Sequence, residues 1–464
     1  MRMTHVLVVV GTSVFLTGFA NMSFSQDPEV LPGSLVASYV RTAPVGVDFS
    51  QPPQTDVTPN MVFDATTGAL LGPDGAGPSN ASNLDGTAAG HDNGTFDDKH
   101  HTPAGGTIDG LDSVATFDGA FAAQAGPSKG KVFRFTMMGN HPLAGGTTLI
   151  PAKIAEVSLR LLNADGSVFQ IVSFQPFEDL TLDSPNFEES DYSSGRRIQF
   201  ADAVHRAQFF NRKDENWHTI LQPQVVNRVT ITVPRFVNIQ LANGTIVQAR
   251  SYFTGRASDG STFVLMLNAL FNFFFDSEVV NEITLGNFTT TSLNMLLFPN
   301  TFLFSLNVNN PNTPGGCCVL GFHTYFYAPA AVPQPRWVTQ YASWISPGVF
   351  RNGIQDVTAL SHETSEAFAD PFVDNVTPSW QFPGVPANAK VCQSNLEEGD
   401  PIEVLPTITI PITIREGHEV FLYHPQNIPL LQWFEMGPKS NAVDGAFSFP
   451  NEALLPHSAL PCPQ

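Results

Sequence analysis

Apolar residues recur along this chain with two different periods, and the changes between them outline its elements. KVFRFTMMG, at 131–139, has a strand's composition, with Val132, Phe133 and Phe135 apolar. From Ile154 to Leu162 apolar and polar residues alternate, and Asn163-Ala164-Asp165-Gly166 then reads as a turn. IQFADAVHRAQFFN, at 198–211, has the spacing of an amphipathic helix. Strands are expected over 228–239 and 245–254, with Asn243-Gly244 as the hairpin turn between them. The most apolar run, Phe263 to Phe275, predicts a buried helix, and Thr301 to Asn307 a buried strand. VLGFHTYFY and WVTQYASW are strand-like. A helix is expected from about Asn352 to Ala369, stopped by Pro371. TITIPITI and HEVFLYH return the pattern to strands. Strand-rich, then helical, then strand-rich segments place the fold in the α+β class.

Ahead of these elements lies a stretch of different character. Arg2 opens a short positive region, Val6 to Ala20 is apolar, and Ser23-Phe24-Ser25 offers small residues before Gln26. This is the form of a cleavable secretory signal over residues 1–25. The apolar run falls short of the roughly 20 residues that span a bilayer, so no membrane span is expected in the mature chain. No Cys near the cleavage point is placed to carry a lipid. Residues 26–125 are rich in turn formers, above all Gly72 to Thr107, and read as a loop-rich region or linker. His91, Asp92, Asp97, Asp98, His100 and His101 lie there, where a solvated loop fits better than a metal site. Residues 126–464 then form the α+β domain.

Composition narrows the partners. With 42% hydrophobic and 14% charged residues the chain has a globular balance. A net charge of −20 repels nucleic acid and anionic membranes, and suits an extracellular protein or one that binds cations. Four cysteines, Cys317, Cys318, Cys392 and Cys462, suggest disulfides in an exported protein. A bond between adjacent Cys317 and Cys318 strains the backbone, so each is expected to reach Cys392 or Cys462. Cys392 can also pair with Cys462.

The chemistry concentrates in Ser361-His362-Glu363-Thr364-Ser365-Glu366-Ala367-Phe368-Ala369-Asp370-Pro371. At about 100° per residue, Glu366, Asp370 and Glu363 all fall within about 100° of His362. Leu360, Thr364, Ala367 and Phe368 take the opposite flank. His362 and Glu366, four apart, can grip one ion, and Glu363 can serve the water beside it as general base. This is the logic of the H-E-x-x-H zinc helix with Glu in place of the second His. A set with one His and several carboxylates also suits calcium. Downstream, CQSNLEEGDP offers Glu397 and Asp400 as further ligands. No G-x-S-x-G elbow, phosphate-binding loop or dinucleotide fingerprint occurs. His205 and His218 fit structural histidines. His323, in a buried strand beside the metal helix, would be placed to add a ligand.

The tract DVTALSHETSEAFADPFVDNVTPSW followed by CQSNLEEGDP resembles a group of secreted bacterial proteins with a Ser-His-Glu-x-x-Glu-x-x-x-Asp-Pro helix and a later E-x-G-D-P turn. More distantly, it is similar to the plant phosphate-induced, EXORDIUM-like extracellular proteins. The likeness runs from roughly Met137 to the C-terminus. It implies that His362, Glu363, Glu366, Asp370, Glu397 and Asp400 share one site, in a zincin-like, metallopeptidase-like protein. Three functions follow as expectations. The first is a secreted or periplasmic zinc hydrolase acting on protein or peptide, with Glu363 as its base. The second is a non-catalytic extracellular protein with a structural calcium ion, and the third a surface-binding module built on the Phe-rich strands.

Overall fold

In a computed structural model of the chain, the described residues are 111–462, apart from 193–196, 242, 328–334, 351–352, 385–391, 404, 406, 417–418 and 439–442. Of the first 110 residues only the strand segments 62–64, 70–71 and 87–88 are described. The secretory signal and most of the 72–107 loop, with its histidines and aspartates, thus lie outside the described residues.

Strands hold 44% of the described residues and helices 18%, which agrees with the α+β expectation. The framework is a mixed sheet. Five of its seven strands are β1 (Thr147–Leu162), β2 (His218–Val233), β3 (Leu293–Pro299), β4 (Gly321–Tyr327) and β5 (Arg336–Trp344), in the order β2-β1-β3-β5-β4. The first four in that order run parallel, and β4 runs antiparallel to β5. Central β3 is buried at every position, as a strand covered on both faces must be.

Three helices matter to the site: α1 (Phe200–Gln208), α2 (Asn268–Thr284) and α3 (Thr358–Ala369). The pleat of the sheet sorts what each one meets. Phe322 of β4, Tyr341 of β5 and Phe298 of β3 face α2, where Phe271 lies 4.5 Å from Tyr341 and Phe275 lies 4.8 Å from Phe322. Their neighbours His323 and Gln340, paired across β4 and β5, face α3. Leu360 and Phe368 of α3 pack with Met295, Leu297, Val338 and Ala342 in a second core on that side. The inward flank expected of α3 is therefore the one observed.

Several boundaries differ from expectation. The Phe263–Phe275 run is split between the strand Thr262–Leu267 and the first half of α2, because a short apolar run has no period that separates the two states. The α3 helix begins at Thr358, not near Asn352, since Asp356 takes a left-handed φ of 41°. The α1 helix, expected to be amphipathic, is buried at all nine positions.

The cysteine expectation needs correction. Cys317 and Cys318 are bonded to each other, and Cys392 to Cys462. The first pair lies in the strand Pro314–Val319, hydrogen-bonded to Thr301–Leu306. Cys392 starts a strand paired with Val376–Gln381, which also pairs with Leu460–Pro461. The two pairs belong to separate sheets, and Cys392 and Cys462 are brought to a Cα separation of 5.9 Å by a shared neighbour strand. Among the described residues no helix is long and apolar enough to cross a membrane.

Candidate metal centre

Helix α3 is fixed at both ends before it presents any chemistry. At its start, Asp356 Oδ1 accepts the N–H groups of Val357 and His424, and Thr358 Oγ1 donates to the His424 carbonyl. Along its length, Gln340 of β5 donates to Thr364 Oγ1 at 3.1 Å. At its end, the Asp370 carboxylate accepts the N–H groups of Asp374 and Asn375, and its carbonyl receives His323 Nε2 at 3.0 Å. Every residue of α3 is buried, polar flank included. Against that flank lie His323 of β4, the turn 396–403 and the Gln426 side chain.

Two imidazoles converge on this flank with their tautomers decided by their neighbours. The partner of His323 Nε2 is a carbonyl oxygen, which only accepts, so Nε2 carries the proton and Nδ1 faces inward. His362 Nδ1 lies 3.1 Å from Gln426 Oε1. That amide is oriented by its own donation from Nε2 to the Gly399 carbonyl, so Oε1 accepts and His362 Nδ1 donates. The inner nitrogen of His362 is therefore Nε2. Both inner nitrogens meet Glu366 Oε2, at 3.1 Å from His362 and 3.5 Å from His323. Glu366 Oε1 is held by the Gly399 N–H at 2.9 Å.

Glu363 lies a little farther out. Its Oε1 is 3.9 Å from His362 Nε2 and its Oε2 is 3.7 Å from His323 Nδ1. Two glycines permit these approaches. A Cβ on Gly321 of β4 would sit 2.6 Å from Glu363, and one on Gly399 would sit 2.5 Å from the His362 ring. Asp400 Oδ1 is 3.7 Å from His362 Nε2, and Glu403 Oε1 is 3.7 Å from His362 Nδ1. The donor atoms form two sets, His323 with Glu363 and Glu366, and His362 with Asp400 and Glu403, each within 4.8 Å.

The other predicted members are placed as follows. Asp370 is fully buried, its carboxylate engaged with the turn after α3. Glu397 is buried and close enough to interact electrostatically with Glu366 and His323. Sequence reasoning did not single out Glu398, Glu403 or Gln426. Glu398 is fully buried, accepts from Gln208 of α1 at 2.9 Å, and has no hydrogen-bond partner for Oε1. Its adjacency to Glu397 was the available signal. Gln426 had none, being one of two adjacent amides in a short bridge far from the helix in sequence. His205 and His218 are structural as expected: His205 Nε2 donates to the Met138 carbonyl, and His218 pairs with Asp202 at 2.7 Å.

The electrostatics follow from burying so many acids. Burial alone would push both imidazoles down, but Glu363 and Glu366 outweigh it and hold them well above the usual histidine value. Burial would likewise raise Glu366, yet His362 and His323 hold it well below the usual carboxylate range. Burial, reinforced by Glu366, pushes Glu397, Glu398 and Asp400 well up. Burial also raises Glu403 to about 7, and together with Asp374 raises Asp370 to about 8. Seven carboxyls thus surround two imidazoles, and the ion pairs here among the described residues are all to histidine. Neutralising so dense a group requires protons or cations. Imidazoles anchored through the outer nitrogen, with carboxylates at the inner one, are a donor set that fits a divalent metal. No family model, curated protein or solved structure matches the chain.

Proposed function

We propose that the chain is an extracellular metal-dependent hydrolase of metallopeptidase-like kind, with Glu363 as the base of its metal centre. One observation carries the reading: two buried imidazoles rest their outer nitrogens on fixed oxygens and turn their inner nitrogens to one carboxylate oxygen. With His323 added, the donors are two histidines and several carboxylates. That set suits zinc better than calcium, which takes oxygen ligands. Bound zinc supplies Lewis acidity and brings the pKa of a water it holds toward ~7. Glu366 and both imidazoles hold the metal. Glu363, farther from both imidazoles than Glu366, accepts the proton of the attacking water. Side-chain exposure rises to 12% at Asp400 and 27% at Glu403, the side from which a peptide would enter. The two disulfides agree with an extracellular setting, and the resemblance of helix and turn to secreted metallopeptidase-like proteins points the same way.

A second reading, a structural cation in a non-catalytic protein, draws on the burial of every donor on α3. Bound metal measured in purified protein, together with a peptide-library assay in added zinc, separates the two. Glu363→Gln is expected to keep its metal while activity drops by roughly a hundredfold or more. His362→Ala is expected to lose metal and activity together. A metal-loaded wild type without hydrolytic activity, whose ligand variants lose stability, would establish the structural reading instead.

A further inference from the structure

We infer that this centre holds two divalent ions, with Glu366 Oε2 shared between them. The inference rests on the metal reading above and extends it to stoichiometry. Three observations carry it. First, the donors fall into two sets, each closed within 4.8 Å, one around His323 and one around His362.

Second, the two carboxylates of α3 are disposed as links between the sets. Glu366 Oε1 is taken by the Gly399 N–H, which leaves Oε2 as the one atom facing both inner nitrogens. Glu363 gives one oxygen to each side, Oε1 toward His362 and Oε2 toward His323. A base serving a water between two ions would occupy that position. In two-metal hydrolytic sites the ions stand ~3.5–4 Å apart.

Third, the six donor residues of the two sets outnumber the four ligands that one tetrahedral ion takes. Five carboxyls, those of Glu363, Glu366, Glu397, Asp400 and Glu403, surround the imidazoles, and Glu398 Oε1 is fully buried beside them without a hydrogen-bond partner. The ion near His323 would take Nδ1 and Glu366, with Glu397 in its surroundings. The ion near His362 would take Nε2, Asp400 and Glu366, with Glu403 at the edge of the set on the Nδ1 side of the ring. His362 Nδ1 stays with Gln426.

The test uses the full chain, stripped with chelator and dialysed to saturation against Zn²⁺, with metal per chain determined by mass spectrometry. A parallel sample loaded with Mn²⁺ is read by electron paramagnetic resonance. Two ions per chain and a spin-coupled manganese pair are expected. The isosteric double variant Asp400→Asn, Glu403→Gln is expected to fall from two ions to one and to show an isolated manganese signal. One ion per saturated wild-type chain, or two ions without coupling, overturns the shared centre. No bound metal overturns this inference and the metal reading together. Two coupled ions without hydrolysis sustains the inference and overturns only the hydrolase.

Discussion

His205 shows what a single buried side chain can impose. Phe117, Phe209, Trp217 and Phe368 surround its ring, and its Nδ1 has no hydrogen-bond partner. Burial, only partly offset by the Met138 carbonyl, lowers its pKa to about 3. The unfolded chain takes up this proton below ~6.5, whereas the folded chain resists it until far lower pH. Its contribution to stability is therefore complete above ~6.5 and lost as pH falls toward 3. At about 1.4 kcal/mol per unit, the cost between pH 6.5 and 5 is about 2 kcal/mol. His205→Gln should remove that part of the acid sensitivity. Denaturant titrations of both proteins at pH 7 and pH 5 measure it, and equal losses would rule His205 out. Within the candidate centre, residue-level legibility was uneven. His362, Glu363 and Glu366 declare themselves by helical spacing. His323, 39 positions before His362, was open to notice only as a histidine in a buried apolar strand, since no helical spacing marks it. Gln426 matters only through the orientation of one amide.

At the scale of elements, the sequence located α3 by its polar spacing and misjudged its start. The expected helix was carried back to Asn352, but Asp356 uses its carboxylate to receive Val357 and His424 instead of continuing the turn. That contact joins the helix to the chain after the strand Glu419–Tyr423. Asp356→Ala removes an acceptor of two backbone N–H groups and the partner of His424 Nδ1 at 2.7 Å. A destabilisation of about 2 kcal/mol is expected from the stranded donors. Thermal unfolding checks it, and a melting temperature equal to the wild type would remove Asp356 from the support of α3. The apolar run before α2 was ambiguous for a different reason. Its residues apart from Phe273 are buried in both the strand and the helix, so burial erased the period that would distinguish them.

For the whole molecule, the parts most visible in the sequence were the alternating strands and the polar helix. Least visible was the pairing that brings distant segments together. The main sheet joins strands far apart in sequence, and the second disulfide spans 70 positions. In the chain-entropy account a closed loop of that size restrains the unfolded state by about 4 kcal/mol. Replacing both Cys392 and Cys462 by Ser should lower the melting temperature by several degrees, while an unchanged midpoint would show that the bond adds nothing. The same bond closes a covalent ring around Glu397, Glu398, Asp400, Glu403 and Gln426, and leaves His323 and α3 outside it. A protease that cuts once between Cys392 and Cys462 therefore releases nothing. The nicked chain keeps its full mass, separates into two pieces only under reductant, and still carries both halves of the centre on one molecule.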